Sequence, residues 1–328
     1  MSQTSRQPGL SQGVILDLET LAPRDLDLSR LRACLPHWRD YEYTLPDQTA
    51  ERMAGAEVVI TNKVVVGAAD MDAAPELELI VVSATGTNNV DLAAAAERGI
   101  TVCNVRNYGT ASVAQHVFAL ILALTTRLNE YQRDVQAGAW HASRQFCLLD
   151  HPIRELAGKS LGIVGHGTLG SATAALARAF GMRVLIAQRR GTTPQEGRTP
   201  FETVLSESDL LSLHCPLTPE TQHLIDAQAL RAMRSDALLI NTARGAIVDN
   251  AALAEALRAG EIGGAGIDVL ESEPPPEDHP LLQSDIPNLI VTPHIAWAAR
   301  EARQRMVDLL ADNITAFAAG HPINEVSA

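Results

Sequence analysis

An apolar strand, a glycine-rich turn and the start of a helix follow one another in Leu161-Gly162-Ile163-Val164-Gly165-His166-Gly167-Thr168-Leu169-Gly170. The helix is predicted to run from Thr168 to Phe180, where Gly181 ends it. A glycine fingerprint alone is a weak signal, but a strand before it and a helix after it are the context that a dinucleotide pyrophosphate needs. We therefore predict a parallel α/β domain that binds a dinucleotide.

Each glycine of the turn has its own role in this interpretation. Gly165 allows the tight turn, Gly167 lets backbone amides approach the phosphates, and Gly170 permits close packing of the helix on the strand. Thr168 and Leu169 begin the helix, whose positive end would meet the anion. These five residues form the predicted pyrophosphate site.

Length, charge and cysteine content limit the other possible functions. The 328 residues suffice for two domains with separate cores, and the net charge of -13 opposes general binding to nucleic acid, which needs clustered Lys and Arg. The first dozen residues are polar, and the longest uncharged stretch, 111–126, is too short and polar for a membrane span. We expect a cytoplasmic protein with no nucleic-acid or membrane partner. Four cysteines without a CxxC pair favour reduced thiols over disulfides or a zinc site, so no metal is predicted: Cys34, Cys103, Cys147 and Cys215.

Short β-rich segments alternate with helical ones along the chain. The later part shows six candidate strands, which suggest a doubly wound parallel sheet: 161–164, 183–187, 210–214, 237–241, 265–269 and 289–292. The first hundred residues repeat the rhythm on a smaller scale, with strands at 14–16, 58–60 and 79–82 and a helix at 91–98. An apolar helix over 111–128 lies between the two parts, and a last helix covers 301–319.

The last three predicted strands lead into polar residues at one edge of the sheet. Arg244 follows the first of these strands, Glu273 the second and His294 the third. An arginine fork can hold a carboxylate through two hydrogen bonds, a histidine can exchange a proton near neutral pH, and a glutamate can orient that histidine and favour its charged form. These residues predict a site for a 2-oxo or 2-hydroxy acid.

The same segments resemble the signatures of the D-isomer-specific 2-hydroxyacid dehydrogenase family. The similar segments are Asn241-Thr242-Ala243-Arg244-Gly245, Gly266-Ile267-Asp268-Val269 followed by Glu273-Pro274, and Thr292-Pro293-His294. Within the family, three further segments are most similar to the bacterial glycerate dehydrogenase, or hydroxypyruvate reductase, branch: 84–91, Tyr108-Gly109 and 294–297.

The resemblance implies a fold of two Rossmann-like or flavodoxin-like domains, each with a doubly wound parallel sheet, and an active-site cleft between them. Residues 1–105 together with 299–328 would form the substrate domain, and residues 106–298 the dinucleotide-binding domain. It also implies a homodimer formed mainly through the cofactor domains.

The resemblance further implies the roles of the site residues. Arg244 would bind the substrate carboxylate, His294 would be the proton donor in reduction, and Glu273 would hold His294 protonated. The backbone amides at Thr85 and Gly86 would help to hold the carboxylate. Trp297 would lie near the substrate. The ordinary alternatives are a surface ion pair for Arg244, a loop carboxylate for Glu273 and core packing for Trp297.

The resemblance places several more residues at the cofactor. Asp268 would orient the nicotinamide carboxamide, and a buried acid without such a partner would be costly. The adenosine half would be bordered by His214-Cys215-Pro216, and Thr242 and Ala243 complete the predicted cofactor contacts.

One position departs from the pattern of an NAD enzyme. The acid that normally accepts the adenine ribose hydroxyls lies at the end of the second strand, and here that strand ends in Gln188-Arg189-Arg190. A neutral residue followed by two cations favours the 2'-phosphate of NADP(H). NAD(H) is the alternative, if the two arginines point to solvent.

The sequence therefore predicts an oxidoreductase that transfers hydride between NAD(P)H and a small D-2-hydroxy or 2-oxo acid, with hydroxypyruvate and D-glycerate as the first choice. The alternatives are a reductase of glyoxylate, of another 2-oxo acid or of a phosphorylated acid. A different class is a nucleotide-sensing scaffold or corepressor of the same wider family. Turnover of 2-oxo acids would separate that class from the enzymes.

Overall fold

The chain forms two compact α/β units in the computed structural model, which describes residues 9–193 and 195–327. The first unit holds the described residues up to Gly109 together with those from Ala298 onward, and the second unit is Thr110–Trp297. Two short pieces of the predicted substrate domain lie outside the described residues. They are residues 1–8, where the polar N-terminal segment begins, and residue 328.

Short parallel strands and the helices between them make up both units. The strands are β1 (Gln12–Ile15), β2 (His37–Asp40), β3 (Val58–Thr61), β4 (Leu79–Val82), β5 (Thr101–Cys103), β6 (Ser160–Val164), β7 (Arg183–Ile186), β8 (Leu210–Leu213), β9 (Leu238–Asn241), β10 (Gly264–Ile267) and β11 (Leu289–Val291). The helices are α1 (Ser29–Arg32), α2 (Thr49–Met53), α3 (Ala68–Asp72), α4 (Leu92–Glu97), α5 (Thr110–Thr126), α6 (Leu128–Gln136), α7 (Ala139–Ala142), α8 (Thr168–Ala179), α9 (Phe201–Glu207), α10 (Ala227–Ala232), α11 (Asn250–Ala259) and α12 (Arg300–Ala318). Single 3₁₀ turns lie at Leu18–Leu21, Pro23–Asp25, Pro46–Gln48, Gly245–Ile247 and Pro280–Leu282.

The first unit has a parallel sheet in the order β2-β1-β3-β4-β5. The three strands predicted in this part of the chain are β1, β3 and β4, and the predicted helix is α4, which begins where the Asp91 carboxylate accepts the Ala94 amide at 2.9 Å. The sequence analysis missed β2 and β5. The first is a polar edge strand and the second has three residues, so neither shows a clear hydrophobic pattern.

The second unit has a parallel sheet in the order β11-β10-β9-β8-β6-β7, formed by the six predicted strands. Both faces are covered, because Leu161 and Ile163 pack in a core with α5 while Leu211 and Leu239 pack in the core on the other side. The predicted fold class of two doubly wound parallel α/β units is confirmed. The chain turns from β6 to β7 on one side and then crosses to β8 on the other. The switch point, where such sheets bind ligands, therefore lies between the carboxyl ends of β6 and β8.

Helix α5 is apolar enough to be compared with a membrane span. Among the described residues no single helix is long and apolar enough to cross a membrane, and α5 passes the test only together with α6, across a bend of 59°.

Candidate active site

A tight turn at Gly165 joins β6 to α8 at the switch point. Gly165 has a φ of +91°, and a Cβ there would lie 2.5 Å from the amide nitrogen of Cys215. A Cβ at Gly170 would lie 2.1 Å from the carbonyl oxygen of Gly165, so a larger residue would push the helix off the turn. Gly167 is the N-cap of α8 and provides no side-chain cap. A Cβ added at Gly167 would have no described atom within 4 Å, so the space beside the helix start is open. The first amides of α8 can therefore donate to an anion.

Two polar atoms at the carboxyl ends of β8 and β9 are buried without a partner in the described parts of the chain. They are Nδ1 of His214 and Oγ1 of Thr242. The other ring nitrogen of His214 lies 2.9 Å from Ser212 Oγ, and burial lowers the pKa of this histidine to about 4, so it is neutral. An unpaired buried polar group costs roughly 1–3 kcal/mol. Both atoms belong to the predicted cofactor site, and a bound dinucleotide fits because it would supply their partners.

The residues after β8 and β9 complete this side of the site. Burial raises the pKa of the Cys215 thiol, which therefore stays protonated, and the next residue, Pro216, is exposed. Ala243 is half-buried, and its amide donates to Asn241 Oδ1 at 3.0 Å. The cofactor contacts predicted for these residues stay predictions.

Three residues shortly after β7 have different surroundings: Gln188, Arg189 and Arg190. The Gln188 side chain holds the following loop, because its Nε2 donates to the Thr193 carbonyl at 2.9 Å and its Oε1 accepts the Gln195 amide at 3.2 Å. The Arg190 guanidinium lies 3.3 Å from a Glu202 oxygen and over the Phe201 ring. Arg189 is 72% exposed, and its guanidinium lies 3.8 Å from Glu220 Oε2. Arg189 is thus the more available of the two cations.

Arg244 lies on a short loop after β9 and is exposed. Asn241 shapes this loop, because its Nδ2 donates to the Arg244 carbonyl at 2.9 Å. The Arg244 guanidinium donates to the Ala243 carbonyl at 2.7 Å. A Cβ at Gly245 would lie 1.9 Å from the carbonyl carbon of Leu270. Glycine therefore allows the loop that carries Arg244 to pack against the segment that leads to Glu273.

The structure brings Glu273 and His294 together. His294 Nδ1 lies 2.6 Å from one carboxylate oxygen of Glu273, and the Leu270 amide donates to the other oxygen at 3.0 Å. Both side chains are about one-third exposed, so the pair is open to a small molecule. The geometry suits a histidine that exchanges a proton through Nε2.

Asp268 holds the loop that carries His294. Its side chain is 1% exposed, and its oxygens accept the Thr292 hydroxyl at 2.5 Å and the amides of Ile295 and Ala296 at 3.0 and 2.9 Å. Burial by itself would raise the pKa of Asp268, but these hydrogen bonds and one from His116 outweigh it and place the pKa below its usual range. The carboxylate is therefore ionised and stabilises the loop, whatever contact it also makes with the cofactor.

Sequence reasoning missed two residues of this network, both on α5. His116 Nε2 lies 3.0 Å from Thr292 Oγ1, and Ser112 Oγ donates to the Ala296 carbonyl at 2.6 Å. The available signal was a pair of polar residues, Gln115 and His116, inside an apolar helix.

The other predicted substrate residues are Thr85, Gly86 and Trp297. Thr85 and Gly86 belong to the first unit, in the loop after β4, where Asn104 Nδ2 donates to the Thr85 carbonyl at 2.7 Å. Trp297 is half-buried and ends the second unit. Their roles stay predictions. Within the described residues no group of three His, Cys, Asp or Glu side chains is arranged to hold a metal ion.

Comparison with known protein families agrees with this arrangement. The model described as "D-isomer specific 2-hydroxyacid dehydrogenase, NAD binding domain" matches residues 118–296. The chain belongs to the D-isomer-specific 2-hydroxyacid dehydrogenase family. The prediction from its sequence motifs is thereby confirmed.

Relatives of this dehydrogenase match over nearly the whole chain. It is 47% identical to a glycerate dehydrogenase of Methylorubrum extorquens, with 96% of this chain and 98% of the relative covered. It is 36% identical to a hydroxypyruvate reductase of Blautia hydrogenotrophica, with 96% and 99% covered. The TT0316 protein of Thermus thermophilus, a solved structure, matches with a TM-score of 0.82 and 38% identity over 96% of this chain and 99% of that one. The chain is thus an oxidoreductase that interconverts a 2-hydroxy acid and a 2-oxo acid with a nicotinamide cofactor.

Proposed function

We propose that this dehydrogenase reduces hydroxypyruvate to D-glycerate, with NADPH favoured over NADH. The observation that carries the choice of substrate is the full-length similarity to a glycerate dehydrogenase at 47% identity. The contact of His294 with Glu273 and the nearby loop of Arg244 support the chemistry.

In this proposal each catalytic side chain has one task. The exposed guanidinium of Arg244 binds the substrate carboxylate and polarises the 2-oxo group. His294 donates a proton from Nε2 to the 2-oxo oxygen, because Nδ1 is engaged by Glu273. The Glu273 carboxylate orients the ring and stabilises its positive charge before the transfer. When bound, the reduced nicotinamide supplies the hydride to the 2-oxo carbon. In the reverse direction His294 accepts the proton from the hydroxyl.

The proposed cofactor site follows from the turn after β6. The first-turn amides of α8, at Thr168 and Leu169, would hold the pyrophosphate, with Gly165 and Gly167 keeping the backbone close. Asp268 would orient the carboxamide of the bound nicotinamide.

The preference for NADPH rests on Arg189. An ion pair of 3.8 Å between two exposed side chains, Arg189 and Glu220, contributes little to stability, so a phosphate can replace Glu220 at low cost. Gln188 adds no negative charge that would repel the phosphate. Arg190 is held by Glu202 and Phe201, and we assign it the smaller share.

We propose that the enzyme is a homodimer. Residues 128–153 expose several large apolar side chains, and α6 buries none of its residues. The exposed set is Leu128, Val135, Trp140, Phe146, Leu149 and Ile153. Exposed apolar surface of this kind marks interaction sites, and a second copy of the chain is the partner that we assign to it. Phe146→Asp, at a position that is 91% exposed, should turn the dimer into a monomer in sedimentation equilibrium. A wild-type monomer would contradict the proposal.

We also propose a cytoplasmic location. The four cysteines are free thiols, which is the state that a reducing compartment maintains. Fractionation of cells that express the tagged protein would test this.

A substrate panel tests the proposed reaction. The purified enzyme is assayed with NADPH and with NADH against hydroxypyruvate, glyoxylate, pyruvate and a phosphorylated 2-oxo acid, and the absorbance of the reduced nicotinamide is followed. We expect the highest kcat/KM for hydroxypyruvate with NADPH. A higher value for another acid would overturn the substrate. Absence of turnover with the whole panel would favour a nucleotide-sensing scaffold.

A further inference from the structure

The loop 292–297 presents His294 in an uncommon backbone conformation. The φ of His294 is +55°, in the left-handed region that residues other than glycine seldom adopt. Such a conformation persists only where the surrounding contacts over-determine it. The groups that hold this loop therefore determine where the imidazole lies.

One face of α5 contacts the loop at two points. His116 Nε2 lies 3.0 Å from the Thr292 hydroxyl at the start of the loop, and Ser112, one helical turn earlier, donates to the Ala296 carbonyl near its end. Helix α5 is itself closely packed, because a Cβ at Gly266 in β10 would lie 3.0 Å from the Leu120 Cβ. The helix can therefore serve as a rigid support for the loop.

The direction of the hydrogen bonds follows from the proton count. A hydroxyl has one proton, and at 2.5 Å the Thr292 hydroxyl donates it to the Asp268 carboxylate, which can only accept. The same oxygen must then accept from His116, so Nε2 of His116 carries a hydrogen. This Nε2 is also 3.4 Å from the same Asp268 oxygen. The hydrogen bonds thus run in one direction, from His116 through the Thr292 hydroxyl to the Asp268 carboxylate, which accepts.

We propose that His116 is a positioning residue of the active site: its Nε2–H turns the Thr292 hydroxyl toward Asp268 and thereby holds the loop with His294 against Glu273. The inference rests on the proposed role of His294 as proton donor. Since His116 acts through the loop, its loss should lower kcat more than it weakens the binding of NADPH.

Two variants of His116 with similar size separate the effect of where the hydrogen-bond donor lies from the effect of side-chain packing. Gln puts an amide nitrogen near the Nε2 position of histidine, whereas the shorter Asn puts it near Nδ1. We expect His116→Gln to keep most of the activity and His116→Asn to lose roughly 10- to 100-fold in kcat, the effect of a misplaced catalytic group. In His116→Asn the loss should fall on kcat more than on KM for the 2-oxo acid, because Arg244 binds the substrate carboxylate in the proposed function.

A control on the same helix measures the general cost of losing a buried hydrogen bond. Thr125 is buried on α5 and donates to the Ile121 carbonyl at 2.8 Å. Thr125→Val should lower Tm without changing kcat. If His116→Asn behaves in the same way, or if the Gln and Asn variants are equally active, the positioning role is wrong.

The coupling to Thr292 provides the second test. In a Thr292→Val background the His116→Asn change should have little further effect on kcat, because the hydroxyl through which His116 acts is gone. Full additivity would overturn the proposed chain. His294→Ala separates this inference from the proposed function. Retained turnover in that variant would disprove the assignment of His294 as the proton donor. An inactive His294→Ala together with a fully active His116→Asn would overturn only the positioning role of His116.

Discussion

His294 Nδ1 lies 2.6 Å from Oε2 of Glu273, while Oε1 of the same carboxylate accepts the Leu270 amide at 3.0 Å. The Leu270 amide therefore fixes the Glu273 carboxylate in the position where it contacts the imidazole. A carboxylate held in this way orients the ring and can stabilise a positive charge on it. The pair should thus control proton donation from His294.

Replacing Glu273 by Gln should lower kcat for reduction by roughly 10- to 100-fold, the effect of a misplaced catalytic group. The neutral amide cannot stabilise a positive charge on the imidazole as the carboxylate does, and it holds the ring less firmly. Steady-state kinetics with the 2-oxo acid measures kcat and KM. Glu271→Gln is the matched control, because Glu271 lies in the same loop but contacts His223 at 3.1 Å. An equal loss of kcat in both variants would count against the pair.

Replacing His294 by Ala should remove turnover and keep the cofactor. General acid catalysis contributes roughly 10²- to 10⁴-fold, so kcat should fall by that factor. The pyrophosphate turn lies after β6, on a different segment, and the Kd for NADPH from fluorescence titration should stay unchanged. Unimpaired reduction of hydroxypyruvate by His294→Ala would disprove the assignment.

Replacing Arg244 by Lys should raise KM for the 2-oxo acid and lower kcat. Lysine offers a point charge where a planar fork matches a carboxylate, so the substrate would bind less tightly and in a less defined orientation. A variant that loses thermal stability and keeps both constants would show that Arg244 has only a structural role.

The sequence was informative where structure depends on local pattern. The strand, turn and helix around Gly165 need close backbone contacts that only glycine permits, and a Cβ there or at Gly170 would come within 2.5 Å of backbone atoms. Strands of a parallel sheet end at the same edge, so the residues after β9, β10 and β11 could be grouped without knowledge of their distances.

The support of the site could not be read from the sequence in the same way. His116 and Thr292 are 176 positions apart, and no periodicity connects them. The two arginines after β7 look equivalent in the sequence, yet only the structure shows that Arg190 is engaged by Glu202 and Phe201. Side-chain pairing across distant segments depends on the packed fold and leaves no local signal.

His214, which is half-buried with its Nδ1 enclosed, should make stability depend on pH. Burial lowers its pKa from 6.5 to about 4, so between these values the unfolded chain binds a proton that the folded protein does not. The folded protein is therefore at its full stability with respect to His214 above the ordinary pKa of 6.5, and it loses stability as the pH falls toward the lowered pKa of about 4. The loss amounts to about 3 kcal/mol in the free energy of unfolding. His214→Gln has no such proton, so its unfolding free energy, from urea titration without cofactor, should fall less over the same range. Parallel curves for the two proteins would contradict the effect.

Replacing Arg189 by Ala should reduce the preference for NADPH. A charge-assisted hydrogen bond to phosphate contributes about 1.5–3 kcal/mol, and screening at an exposed site brings the expected loss in kcat/KM to roughly tenfold. The value for NADH should hardly change, because NADH has no 2'-phosphate. Glu220→Gln should act in the opposite direction, since it removes the carboxylate that competes for Arg189.

Arg190→Ala is the control for this assignment. Its guanidinium already contacts Glu202 and Phe201, so this variant should lose stability more than selectivity. The wild-type preference should also shrink as salt is added, because exposed charges are screened. If Arg190→Ala changes the ratio of kcat/KM for NADPH to that for NADH and Arg189→Ala does not, Arg190 is the residue that contacts the phosphate. If the wild type favours NADH at low salt, both side chains face solvent and the enzyme uses NAD(H).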